Sequence, residues 1–231
     1  MNFPCKLAVD VDAAKFQIIR CGEEVNAKQI QDAKTCLFVF EMSSIFDRHS
    51  AEEIDFPLSQ FEEQRIASYL SVGHRQRYIA VQNCIFYTLT QLGLNSHWKR
   101  MPDSGRPYLN CNDFNISIAH SESKLVLAIS NGRALGVDIE AQANEINLGR
   151  LCSRYGRSLA KGAWLSAVQE WTFRESLIKA LDISMAACLS GIQVEMPSSR
   201  VLVWSRQPIV GNWSVSWLDI DDEVICFLIE I

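Results

Sequence analysis

Three short blocks of this chain hold most of the side chains able to do chemistry. The first is Phe114-Asn115-Ile116-Ser117-Ile118-Ala119-His120-Ser121. The second is Gly136-Val137-Asp138-Ile139-Glu140, and the third is Trp171-Thr172-Phe173-Arg174-Glu175-Ser176-Leu177-Ile178-Lys179-Ala180. Together they supply three carboxylates, one histidine and one lysine. Three hard oxygen donors converging on one point suit Mg²⁺, which takes carboxylate, water and phosphate oxygens. Cysteine and histidine donors are not grouped as zinc would require. The blocks therefore read as a divalent-metal and pyrophosphate site, with His120 a donor to phosphate. His120 also fits a plain structural hydrogen-bonder.

Such a site needs elements that bring the blocks together. Asp138 and Glu140 stand two apart in an apolar run, so on a strand both side chains leave the same face. Val137 and Ile139 then point into a core. At roughly 7 Å between backbone positions, two carboxylates repel by roughly 2–3 kcal/mol at an effective dielectric of about 20. A strand end facing water carries such a pair at less cost. Residues 163–181 read as a helix. Taking Trp164 as reference and about 100° per residue, Val168, Trp171 and Ile178 form an apolar stripe with Glu175 in its middle. A carboxylate there needs a charged partner. A metal would serve, and so would an ion pair with Lys179 one turn on. Phe173, Leu177 and Ala180 make the far side apolar too, which predicts a helix buried on two faces.

The 231 residues suffice for one sizeable core or two small ones, and 48% hydrophobic with 21% charged residues is ordinary for a soluble globular chain. The longest clean apolar run, Cys36 to Phe40, is far short of a membrane span. No signal peptide is evident at Met1–Lys6, so a cytoplasmic protein is expected. The net charge of −5 argues against a general nucleic-acid binder. Eight cysteines at 5, 21, 36, 84, 111, 152, 188 and 226 form no CxxC pair and read as buried thiols.

Residues 34–42 read as a strand and 43–60 as a loop, with helical spacing from Phe61. The clearest helix spans 74–92, with Gly93 in the place of a C-cap. His74, Arg75 and Arg77 stand at its first turn, where cations oppose the helix dipole unless an anion lies nearby. A solvated basic turn is the other reading. Two β-runs, 125–129 and 135–139, flank Ser130-Asn131-Gly132-Arg133, and Asn-Gly between apolar runs predicts a hairpin. From Ile146 to Gln169 there is no Asp or Glu, while Arg150, Arg154, Arg157 and Lys161 follow at steps of four, three and four. Strand-like runs close the chain at 200–204, 213–218 and 223–231.

The order "FNxS…HS", "GVDIE", "WxxxESxxKA" resembles the 4′-phosphopantetheinyl transferases of the Sfp type. These enzymes move the phosphopantetheine arm of coenzyme A onto a serine of a carrier protein. The core of the resemblance runs from Phe114 to Lys179, with a weaker match at Arg65, His74-Arg75 and Gly105-Arg106-Pro107. It implies Asp138, Glu140 and Glu175 as Mg²⁺ ligands, and Glu175 also as the group deprotonating the acceptor serine. Lys179 and His120, the latter followed by Ser121, would hold the pyrophosphate. Arg65 and Arg75 would meet the 3′-phosphoadenosine, and Arg106 stands for a lysine of the family's GKP motif. Three departures stand out. Ile118 and Ala119 intervene before His120, Arg174 replaces a lysine, and no acidic residue occurs between 146 and 169.

The implied fold is α+β, with two similar halves related by a pseudo-twofold axis. Each half would be a small antiparallel sheet on a long helix, residues 1–113 and 114–231, with coenzyme A between them. The implied partner is an apo acyl or peptidyl carrier protein, the implied state a monomer. Carrier proteins in such systems are acidic, so the basic window at 150–161 is a candidate docking face; a solvated face is the alternative. Two rival functions use the same residues: a Mg²⁺-dependent nuclease or phosphohydrolase, and a non-catalytic module binding coenzyme A or carrier protein.

Overall fold

A computed structural model describes residues 5–11, 17–20, 35–48, 53–95, 98–101, 107–110, 113–154, 165–184, 188, 192–195, 200–205, 209 and 211–230. In chain order the elements are β1 (Cys5–Val11), β2 (Gln17–Arg20), β3 (Thr35–Glu41), α1 (Met42–Arg48), α2 (Gln60–Ser68) and α3 (Val72–Gln91). Next come β4 (Trp98–Arg100), β5 (Pro107–Leu109), β6 (Phe114–His120), β7 (Lys124–Asn131) and β8 (Leu135–Ala141). A 3₁₀ turn at Gln142–Asn144 leads into α4 (Glu145–Arg154) and α5 (Ala167–Leu181). The chain closes with β9 (Ile192–Glu195), β10 (Arg200–Ser205), β11 (Trp213–Ile220) and β12 (Glu223–Glu230). The fold is mixed α+β, as expected.

The described residues divide into two compact units, residues 16–132 and residues 1–15 with 133–231. The expected boundary after 113 falls inside the first of these. The reason is pairing: β6 and β7 share a sheet with β3 (order β2-β3-β7-β6), whereas β1 pairs with β10 and β11. Neither sheet is purely antiparallel, because β2 runs parallel to β3 and β1 parallel to β11.

In the unit of residues 16–132, α3 lays Ala80, Val81, Cys84, Ile85 and Leu89 into a core shared with Cys36, Phe38, Ile116, Leu125, Leu127 and Ile129. The three-and-four spacing of its apolar residues is what makes that face continuous. Ser71 caps its start, and Gly93 at φ +69° ends it. Leu94 N–H donates to Leu89 O at 2.7 Å and Gly93 N–H to Thr90 O at 3.0 Å, the paired bonds of a Schellman stop. The run 43–60, expected as a loop, begins instead with the helix α1, whose Met42 and Ile45 join this core.

The predicted hairpin lies one strand earlier. β7 pairs with β6, turning at 121–123, and β8 pairs with β12 in the other unit's sheet. Gly132 does take the positive φ that Asn-Gly signals, +68°. Its N–H, however, donates back to Asp113 O at 2.7 Å, finishing the β6–β7 ladder rather than opening a new one.

The unit carrying residues 133–231 has a six-stranded sheet, order β8-β12-β11-β1-β10-β9. Helix α5 packs Phe173, Leu177 and Ala180 against Trp213, Val215, Cys226 and Leu228. Ser166 caps α5 with a reciprocal capping box to Gln169. The four described cysteines whose burial is defined, Cys36, Cys84, Cys188 and Cys226, are buried free thiols, as expected. Burial pushes the Cys36 thiol up to about 11. Among the described residues no helix is long and apolar enough to cross a membrane.

Candidate functional site

The site begins with a glycine. A Cβ at Gly136 would lie 1.8 Å from Ser176 O and 3.0 Å from Ala180 N, so α5 approaches β8 backbone to backbone. Only a residue without a side chain permits this. The close approach carries the third block onto the second. Ser176 Oγ donates to Cys226 O at 3.1 Å, and Cys226 pairs across the sheet with Asp138, so the helix is tied at the level of that carboxylate. One turn on, Lys179 Nζ donates to Val137 O at 2.9 Å and to Asp138 Oδ1 at 2.8 Å.

This settles one alternative from the spacing. The carboxylate that pairs with Lys179 is Asp138. Glu175 makes no hydrogen bond or ion pair among the described residues, and its carboxyl is raised to about 7. Burial is the largest cause, followed by the Asp138 charge; Glu140 adds to it and Lys179 opposes it. Asp138 is also raised, by burial first, against the attraction of Lys179. Glu140 is held by Asn144, whose Nδ2 donates to Glu140 Oε2 at 2.9 Å. Asp138 and Glu175 thus both sense the Lys179 ammonium. Among the described residues, no three or more His, Cys, Asp or Glu side chains are gathered tightly enough to share a metal ion.

The helical stripe needs correction. The deeply buried face of α5 runs through Thr172, Phe173, Ser176 and Leu177, all fully enclosed. Trp171, Glu175 and Ile178 are only half-buried, so Glu175 stands at the margin of the packed face. The far-side residues Phe173, Leu177 and Ala180 do most of the packing, and Trp164 lies outside the described residues. Arg174, at 1% exposure, is a core residue. Its Nε and Nη2 both donate to Glu170 Oε1, at 2.8 and 2.6 Å. Glu170 is thereby engaged in a buried ion pair within α5.

Neither a model of any known protein family nor any curated protein matches the chain.

The remaining expected residues belong to the unit of residues 16–132. Arg65 and His120 line one cavity of about 530 Å³ with Tyr69, His74, Arg77 and Tyr78. Arg65 lies 5.3 Å from the centre of the Tyr69 ring and donates from Nε to its hydroxyl at 3.2 Å. The Tyr69 and Tyr78 rings stand 5.7 Å apart. Cations beside aromatic faces make this cavity suited to an anion carrying a flat ring. Arg75 is exposed and does not line it, whereas its neighbours His74 and Arg77 do. Arg77 Nη2 also donates to Glu122 O at 2.6 Å. Ser121 Oγ accepts from the N–H groups of Ser123 and Lys124 at 3.2 and 3.0 Å, building the β6–β7 turn. Arg106, Arg157 and Lys161 lie outside the described residues. Arg150 is exposed on α4 and Arg154 ends that helix.

Reading the residues in sequence overlooked Gly136, Asn144 and the tyrosine pair. A glycine amid bulky apolar strand residues is a signal of close backbone approach, and it was available. The carboxylates' polar neighbours carried no such mark.

Proposed function

We propose that this chain is a 4′-phosphopantetheinyl transferase, moving the phosphopantetheine arm of coenzyme A to a serine of an apo carrier protein and releasing 3′,5′-ADP. The observation that carries the reading is the backbone-close packing of α5 on β8 at Gly136, which brings the third motif block onto the second and bonds Lys179 to Val137 O and Asp138. The three motif blocks and their order support the same reading, and so does the basic, aromatic cavity around Arg65 and His120.

The reading calls for Mg²⁺, and the donor types suit it, but the three carboxylates are not drawn together tightly enough to share an ion as they stand. Asp138, Glu140 and Glu175 are hard oxygen donors, and Lys179 is paired with Asp138. The three carboxylates would hold the ion, and when bound it would neutralise charge developing on the pyrophosphate. Lys179, already aimed along β8 through its bonds to Val137 O and Asp138, would add a second positive charge against the same phosphates. Glu175 would take the serine proton as the serine oxygen attacks the β-phosphorus, and the bond to the 3′,5′-ADP oxygen would break. Positioning and electrostatics supply most of the acceleration in such a transfer. Arg65, His74 and Arg77 would meet the 3′-phosphoadenosine, with Arg75, Arg106, His120 and Ser121 as further contacts. The reading also carries two halves of pseudo-twofold likeness, a carrier protein docking on α4 through Arg150 and Arg154, and a chain acting as a monomer.

Incubation with coenzyme A and Mg²⁺, with and without apo-carrier, tests the reading. It expects 3′,5′-ADP only when the carrier is present. Release without carrier points to a phosphohydrolase, and binding of coenzyme A without release points to a non-catalytic module.

A further inference from the structure

Helix α2 has little to hold it in place. Its nine residues, Gln60 to Ser68, fall short of the roughly 12–15 that a helix needs to persist alone in water. Its one fully buried side chain is Glu62, which Ser59 engages in the helix's own capping box. Phe61 and Ile66 are only half-buried. The ends of the segment are firmer. On one side Asn83 of α3 donates from Nδ2 to Glu53 O at 2.8 Å and accepts at Oδ1 from Asp55 N–H at 2.9 Å, and Phe56 is buried. On the other side Ser71 caps α3. Between Phe56 and Ser71, Leu58 is exposed and Leu70 wholly so, and neither pins the chain. Residues 57–70 are thus fixed at both ends and lightly held in the middle.

This span makes one wall of the cavity around Arg65. Phe61, Arg65 and Tyr69 come from it, while His74, Arg77 and Tyr78 come from α3. Among the described residues, no Asp or Glu lines the cavity. Arg65 on one wall and Arg77 on the other are therefore not offset by a lining carboxylate, and their like charges favour opening until an anion enters. The contact that joins the walls is aromatic, the Tyr69 and Tyr78 rings at 5.7 Å. Arg65 travels with Tyr69, since its Nε donates to the Tyr69 hydroxyl. A flat ring beside the tyrosines and a negative group beside the guanidinium each add an attraction that only the closed span can make.

We propose that residues 57–70 are a strap that closes over the cavity when an anion carrying a flat ring enters it, with Arg65 and Tyr69 as the residues that grip. Opening admits the ligand, and closure shields it from water. The inference rests on the transferase reading for the identity of the ligand, not for the motion.

The test follows full-length protein by hydrogen exchange and mass spectrometry, with calorimetry for affinity. The probes are 3′,5′-ADP as the ring-bearing anion, adenosine as the ring alone and pyrophosphate as the charge alone. Without ligand, amides 64–69 are expected to exchange at least about tenfold faster than amides 79–85 of α3. Saturating 3′,5′-ADP should slow amides 64–69 about tenfold or more, and the other two probes less than about twofold. Tyr69→Ala should bind 3′,5′-ADP about tenfold more weakly and lose the slowing, while α3 exchanges as in wild type. Tyr69→Phe, which keeps the ring, should recover most of both. Amides 64–69 already as slow as those of α3, no binding of 3′,5′-ADP, or binding that leaves the strap unchanged overturns the inference. Adenosine or pyrophosphate slowing the strap as strongly as 3′,5′-ADP overturns it too, as does a Tyr69→Ala protein in which α3 also exchanges faster. Closure on 3′,5′-ADP in a protein that modifies no carrier keeps the inference and removes the transferase reading. Carrier modification with an unresponsive strap does the reverse.

Discussion

Gly136→Ala strikes at the contact on which the site is built. The added methyl would sit 1.8 Å from Ser176 O, where an ordinary contact needs about 3.4 Å, so helix and strand must separate by about 1.6 Å. Neither obstacle is a flexible side chain; both are backbone. The Ser176 Oγ–Cys226 O bond, 3.1 Å long, cannot survive that shift, and its loss strands a buried carbonyl and hydroxyl. Overpacking costs about 1–3 kcal/mol and the broken buried bond about as much again, giving about 3–5 kcal/mol in all. For a chain of this size that lowers the melting temperature by about 10 °C. Carrier modification should fall further than stability alone dictates, by on the order of a hundredfold at temperatures where the variant stays folded, because Glu175 and Lys179 ride on the displaced helix. Gly149→Ala is the matched control. There the new methyl meets only Ala167 Cβ at 3.7 Å, so the substitution in α4 should be neutral or stabilising by about 0.5–1 kcal/mol. Circular dichroism melts of both variants decide the matter. A Gly136→Ala protein melting within about 2 °C of wild type would refute the close approach of α5 to β8.

Further outcomes follow from the same geometry. Glu175 has its folded carboxyl raised from 4.5 to about 7, so between those values the folded state holds a proton that the unfolded state has lost. Stability in chelator should therefore fall as pH rises from about 4.5 through 7, by roughly 1–2 kcal/mol after screening of this half-exposed group; Glu175→Gln should flatten that slope in pH-dependent melts. Lys179→Met removes the partner of a buried Asp138, and the cost, about 2 kcal/mol, should be larger at pH 8 than at pH 5, where Asp138 more readily takes a proton. Arg174→Ala leaves Glu170 buried and unpaired and should cost about 3–5 kcal/mol in denaturant melts, while the KM for coenzyme A of the folded fraction stays unchanged.

What could be read from residues alone, and what could not, divides along physical lines. Local signals held wherever one element decided the outcome. The apolar spacing of α3, its Gly93 stop and the same-face pairing of Asp138 with Glu140 were all legible. Non-local pairing was not. Asn131-Gly132 correctly marks a positive φ, but the residue pair does not encode which strand will follow into which sheet. β8 was claimed by β12, almost ninety residues on, and β1 by β10 and β11. Helical phase erred for a related reason: a wheel finds an apolar stripe but not the face a sheet will cover, and α5 offered two. Lys179 chose Asp138 over Glu175 because β8 presents a buried carboxylate and a carbonyl side by side, a geometry created only by the Gly136 approach.

The central claim is that Asp138, Glu140, Glu175 and Lys179 together run a phosphopantetheine transfer. The intact mass of an apo-carrier, drawn from a panel and incubated with coenzyme A and Mg²⁺, tests it most directly. The account predicts a gain of one phosphopantetheine on a single serine with the wild-type chain, and none with Glu175→Gln or in chelator. Carrier masses that stay unchanged across the panel with folded wild-type protein, or a gain that Glu175→Gln leaves intact, would contradict it.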